Sequence, residues 1–177
     1  VITTARLTHA TPGATYSKSA NRDWEAFVGS GGAAAGACPD IASQFIDWPA
    51  GDGFEVAMGG GRSAFLKGGM EDPEYPGKVS DRKDQRDLIA EWTARPNHKF
   101  IIDREGFDAE DFASEDKVLA LFEPSHMDYE LDRAEDPAGE PSIVDMTRAA
   151  ITRLSQDPDG FVLLVEGGRI DHAHHAG

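Results

Sequence analysis

A chain of 177 residues is long enough for one domain with a continuous apolar core. Its formal charge of −15, from 32 acidic against 17 basic residues, argues against a nucleic-acid-binding surface, which needs clustered Lys and Arg. No apolar run approaches the ~20 residues of a membrane-spanning helix. Most of the acidic excess reads as solvated surface charge, with some carboxylates left as candidate metal ligands.

In chain order, the β-branched opening Val1 to Leu7 reads as a strand, and Pro12-Gly13 marks a turn. Ala14 to Trp24 is expected to start helical, and Gly29 to Gly36 to be a small, flexible stretch. Pro39 suits a first helical turn, with Ile41, Phe45 and Ile46 at helical spacing through Trp48. Phe54 to Met58 is a strand candidate running into Gly59-Gly60-Gly61-Arg62. Gly68 to Asp87, charged and rich in Gly and Pro, reads as a surface excursion. A helix from Leu88 to Arg95 precedes strand candidates at Phe100 to Ile102 and Val118 to Phe122. Ser142 and Asp145 form a capping-box pair opening a helix whose apolar positions Ile143, Met146, Ala150, Ile151 and Leu154 share a face. Asp157 to Gly160 breaks it, and the apolar run Phe161 to Val165 suits a central strand covered on both sides.

Strands alternating with helices predict an α/β sandwich around a largely parallel sheet, in which chemistry gathers beyond the carboxyl ends of the strands. Two polar constellations, Thr8 to Thr11 and Glu166 to His175, follow strands directly. In the second, two glycines let the backbone turn after Glu166, and Asp171 stands four residues before His175. On a helix these two share a face, and a carboxylate with an imidazole suits zinc. Glu166, held apart, suits a harder ion such as magnesium. Scattered histidines in a polar loop are the alternative. The single Cys38 has no internal disulfide partner, so it is a free thiol or half of a bridge to a segment elsewhere. A strand-like opening with no initiator Met or signal peptide, and an end at His174-His175-Ala176-Gly177 without a closing element, lead us to expect an internal piece of a longer protein.

The segment from Glu166 to His175 resembles the metal-binding loop of the alkaline phosphatases, especially their animal-type branch. Further resemblances follow in family order: Thr8-His9-Ala10-Thr11-Pro12, Asn21-Arg22-Asp23-Trp24, Cys38-Pro39-Asp40-Ile41-Ala42, Met58-Gly59-Gly60-Gly61-Arg62, Asp72-Pro73-Glu74-Tyr75-Pro76 and Leu121-Phe122-Glu123-Pro124. The resemblance implies a three-layer α/β sandwich, present as one partial domain over residues 1–177 with a surface insertion around 62–140. It implies hydrolysis of phosphate monoesters through a phosphoserine at a two-zinc plus magnesium site. Thr11 and Glu166 resemble magnesium ligands, Asp171 and His175 zinc ligands, and Arg22 the arginine that grips two phosphate oxygens. His9 and His172 resemble positions that orient ligands or buffer charge without ligating; His174 has no assigned role.

Glu74, the Phe122 carbonyl, Glu123 and Glu140 fall where the animal-type enzymes hold calcium, although the family usually has Asp at the position of Glu140. Cys38 resembles half of a disulfide with an upstream cysteine. The nucleophilic serine would lie upstream of Val1 and further zinc ligands downstream of Gly177, so this chain alone is expected to be inactive. The family also implies a homodimer and a periplasmic or extracellular location. The competing readings are another hydrolase of the same superfamily and a non-catalytic secreted metal-binding module.

Overall fold

The computed structural model describes residues 1–29, 34–49 and 51–176; part of the stretch expected to be flexible, residues 30–33, lies outside them. Among the described residues five parallel strands form one sheet in the order β3-β4-β2-β1-β5. They are β1 (Ile2–Arg6), β2 (Val56–Gly60), β3 (His98–Ile101), β4 (Lys117–Leu121) and β5 (Val165–Glu166). The helices are α1 (Ala10–Gly13), α2 (Ile41–Ile46), α3 (Leu88–Thr93), α4 (Arg104–Ala109), α5 (Ile143–Leu154) and α6 (Gly168–Ala176).

Alternation along the strands makes the layers. Leu119 and Leu121 of β4, with Ala57 of β2, join the core that Ile41, Phe45 and Ile46 of α2 and Leu88 and Trp92 of α3 complete. Val118 and Ala120, with Val56 and Met58, face the opposite core, closed by Phe107 of α4 and Met146 and Ala150 of α5. Period-two side chains on a sheet covered on both faces require this division, and the predicted α/β sandwich is what forms.

Acceptor side chains start most of the helices. Asp40, Asp87 and Asp103 accept from the amides of Ser43, Ala90 and Gly106, and Ser142 with Asp145 completes the expected capping box. Pro39 stands before the cap of α2, outside its first turn.

Several expectations need correction. Residues 14–24 hold no helix, because Ser17, Ser19 and Asn21 spend their side chains on nearby backbone groups. The excursion 68–87 is anchored deeply: Arg62, fully buried, makes a bidentate pair with Asp72 at 2.8 and 2.7 Å. Buried Arg82 likewise reaches Asp40 and Asp84. The stretch 62–140 carries β3, α4 and β4, and β4 pairs with β2 inside the sheet.

On α5, Ile151 faces solvent, while Arg153 is buried with its guanidinium on the Glu115 and Asp116 carbonyls. Of the predicted central strand only Val165 lies in β5, which pairs at the sheet edge beside β1. Val162 is 98% exposed. Leu163 and Leu164 pack against the two cores, but among the described residues no strand pairs with the outer edge of β5.

Candidate metal and phosphate site

Three strand ends meet at one edge of the sheet. The first is β1, which continues through Arg6 to His9 at the start of α1. The second is β5, which turns through Gly167 into α6. A side chain at Gly168 would lie 2.9 Å from the Ala5 Cβ, so glycine lets α6 rest on β1. The third is β4, two strands from β1, whose following loop crosses the end of β2. It can do so because Gly60 has no side chain: a Cβ there would be driven into the Ser125 carbonyl oxygen. The loop is then fixed by the Met127 amide on the Thr4 carbonyl, 3.1 Å, and His126 arrives beside Arg6.

The resulting cluster is basic. Arg22 Nη2 lies 2.8 Å from His9 Nε2, Arg6 Nη1 2.6 Å from His126 Nε2, and Arg169 Nη1 3.4 Å from His172 Nδ1. Burial, followed by the nearby guanidinium groups, lowers the proton affinity of all three imidazoles, His126 down to about 3. They are therefore neutral and serve as acceptors. Arg6 is held by both oxygens of Glu25, at 2.8 and 2.6 Å, and Arg169 lies over the Tyr129 ring, 3.7 Å from its centroid. Arg22 is exposed, its guanidinium steered by His9 and open to an anion.

On α6, Asp171 Oδ1 and His175 Nε2 stand 3.6 Å apart on one exposed face. One oxygen and one nitrogen fit a zinc ion as two of its ligands. Glu166 accepts from Thr3 Oγ1 at 2.6 Å. Thr11 is exposed on α1, and among the described residues its hydroxyl does not bond Glu166.

The loop after β4 also serves a second, acidic cluster. Ligand oxygens of Glu123, Asp136 and Glu140 lie within 4.8 Å of one another. Glu140 Oε2, Asp136 Oδ2 and Glu74 Oε1 are buried without hydrogen-bond partners. Tyr75 donates to Glu123, and the Asp128 amide to Glu140 Oε1 at 3.0 Å. Burial and then the neighbouring carboxylates push Glu140 up to about 8; burial above all pushes Glu123 up to about 7 and Glu74 to about 6. Orphaned buried carboxylate oxygens fit a hard cation that prefers oxygen.

An alkaline phosphatase family model matches residues 1–177. This chain belongs to the alkaline phosphatase family. It is 41% identical to the membrane-bound alkaline phosphatase of Bombyx mori over 99% of its length and 32% of that protein. To the tissue-nonspecific alkaline phosphatase isozyme of Gallus gallus it is 42% identical, over 100% of this chain and 35% of that protein. The chain thus spans about a third of the length of these curated relatives.

The crystal structure of the Thermus thermophilus alkaline phosphatase superposes with a TM-score of 0.67 at 31% identity, covering 98% of this chain and 30% of that one. A mutant TAB5 alkaline phosphatase solved with Mg bound shares the fold at 23% identity, TM-score 0.61, over 99% of this chain and 40% of that one.

In this alkaline phosphatase chain the structure brings together Arg22, His9 and His172, and sets Asp171 and His175 on the adjoining helix. It brings Glu123 and Glu140 together, with Glu74 near them turned toward Arg62. Phe122, which precedes Glu123, is buried beside Phe107, ring centroids 6.0 Å apart. Cys38 is an exposed free thiol.

The sequence reading missed Arg6, Glu25, His126, Asp136 and Arg169. The available signal was position for His126, which follows a strand as the recognised motifs do. Glu25 carries no local signal, since Arg6 stands 19 residues away; Asp136 is four residues from Glu140, but Glu123 stands 13 residues away.

Proposed function

We propose that the protein containing this chain hydrolyses phosphate monoesters, and that the chain supplies the phosphate-gripping arginine and part of the metal shell. The observation that carries this reading is Arg22, an exposed guanidinium steered by His9 beside the helix that presents Asp171 and His175. Its planar fork suits two oxygens of a phosphoryl group, and its charge offsets what develops there in the transition state.

Asp171 and His175 would hold zinc, Glu166 and Thr11 magnesium, with a serine from elsewhere in the protein as the group that becomes phosphorylated. Metal ions bound here would supply Lewis-acid stabilisation of the phosphoryl oxygens. His9, 2.8 Å from Arg22 Nη2, would orient the guanidinium, with the His172 ring beside His9. Calcium is proposed for Glu123, Glu140, Glu74 and the Phe122 carbonyl, with Asp136 as a carboxylate contributed by this chain's own loop. A homodimer acting in the periplasm or outside the cell fits the family; among the described residues no helix is long and apolar enough to cross a membrane.

The test is Arg22→Ala in the full-length protein. Activity toward p-nitrophenyl phosphate and inhibition by inorganic phosphate are expected to weaken at least tenfold, with zinc and magnesium content unchanged. Loss of zinc along with activity would refute the assigned role.

A further inference from the structure

Three imidazoles converge from three separate strand ends: His9 after β1, His126 after β4 and His172 after β5. Their ring nitrogens lie within 4.8 Å of one another. Ring centroids are 5.1 Å apart for His9 and His126, 5.5 Å for His9 and His172, and 4.3 Å for His126 and His172. All three are partly exposed, so the space between them opens to solvent.

We propose that His9, His126 and His172 form a site for one borderline transition-metal ion, zinc or a zinc-like divalent cation, separate from the ligand sets assigned above. The site stands on its own geometry and does not depend on the phosphatase reading. Three imidazoles with an open fourth position are a donor set that suits zinc; magnesium and calcium prefer oxygen. Nitrogens ~2.0–2.1 Å from a tetrahedral ion stand about 3.4 Å apart, so side-chain rotations of roughly an ångström close the triad.

Two arginines now occupy the lone pairs an ion would need. Arg6 Nη1 is on His126 Nε2, and Arg22 Nη2 on His9 Nε2. Both can withdraw at little cost. Arg6 keeps its two bonds to Glu25, and Arg22 is exposed and rehydrates. His126 is already over-supplied with donors, since the Arg6 amide faces its Nδ1 at 3.1 Å. A neutral imidazole has a single free nitrogen lone pair and cannot accept at both positions. Ligation through Nε2 puts the ring proton on Nδ1, so the ring must rotate off that amide, in the movement that closes the triad. Glu25 acts on His9, and Asp171 and Glu166 on His172, as the carboxylates that offset the ion's charge.

The probe is cobalt(II), titrated into the 177-residue chain and read by its visible absorption, which separates low-coordinate nitrogen ligation from octahedral oxygen ligation. One equivalent with an intense low-coordinate band is expected. That band should persist in the double variant Asp171→Asn/His175→Ala, which removes the proposed zinc pair. His126→Gln and, separately, His172→Gln on the more exposed α6 are expected to weaken cobalt binding at least tenfold. Their metal-free melting temperatures serve as the fold control. The proposal is overturned if the band survives both single variants, if it vanishes in the double variant instead, or if no low-coordinate band forms. Failure of the Arg22 test would leave this result untouched, and the reverse holds too.

Discussion

Glu140 and Glu123 are carboxyls whose burial favours the protonated form, and this has a consequence for stability. Their proton affinities in the fold, about 8 and about 7, lie above the ordinary value of 4.5. At these two carboxyls the metal-free fold binds more protons than the unfolded chain from about pH 5 to 8, and their contribution to stability falls as pH rises through that window. The imidazoles of His9, His126 and His172, lowered by burial, work the other way. The carboxylates' share is thus read from a difference. In chelator, Glu140→Gln is expected to melt at or above the wild type at pH 8, and to lose less than the wild type between pH 5 and 8. Added calcium should reverse that order, since the wild type alone keeps the full carboxylate set. Thermal melts by circular dichroism check this; about 1 kcal/mol moves the midpoint of a domain this size by roughly 2–4 °C.

Two elements carry predictions of their own. Ser142 caps α5 in a reciprocal box with Asp145, at 3.1 and 3.2 Å. Ser142→Ala is expected to cost about 1 kcal/mol in denaturant unfolding, with the imidazole cluster unaffected, since among the described residues His9, His126 and His172 hydrogen-bond to arginines and not to α5. Gly60 ends β2 beneath the Ser125 carbonyl, and the crossing loop passes over it to bond β1 through the Met127 amide. Gly60→Ala is expected to cost at least ~2 kcal/mol, or to lift the loop away. A lifted loop separates His126 from Arg6 and Glu123 from Glu140 together. Loss of the calcium response and of cobalt binding in one variant would report that shared displacement.

At the scale of the whole chain, the proposed site needs residues beyond it. Asp171 and His175 would give a zinc ion two ligands where a catalytic zinc takes three and an open position. Ser17 and Ser19 follow α1 and are engaged with the Gly13 and Asn21 carbonyls, so neither is poised as a nucleophile. The 177-residue chain is therefore expected to show no turnover of p-nitrophenyl phosphate at alkaline pH with zinc and magnesium added. Turnover abolished by Asp171→Ala would mean that the essential parts of the site had been misjudged.

What the sequence determined by itself is what depends on near neighbours. Alternation placed β1 and β4, helical spacing and capping side chains placed α2, α3 and α5, and the strand–glycine–acid–histidine order put Glu166, Asp171 and His175 at a strand end. These are contacts within a few residues, and their physical rules act on short windows.

Only the tertiary structure decided what long-range geometry controls. Asp72, ten residues from Arg62, became a buried ion pair within a stretch that composition marked as surface. Asp136 joined Glu123 and Glu140, and His126 joined His9 and His172, because a loop after β4 crosses over Gly60. The same limit applies to the run Phe161 to Val165: apolarity says that both faces can be buried, but whether another strand pairs with its outer edge is a property of the sheet, not of the segment.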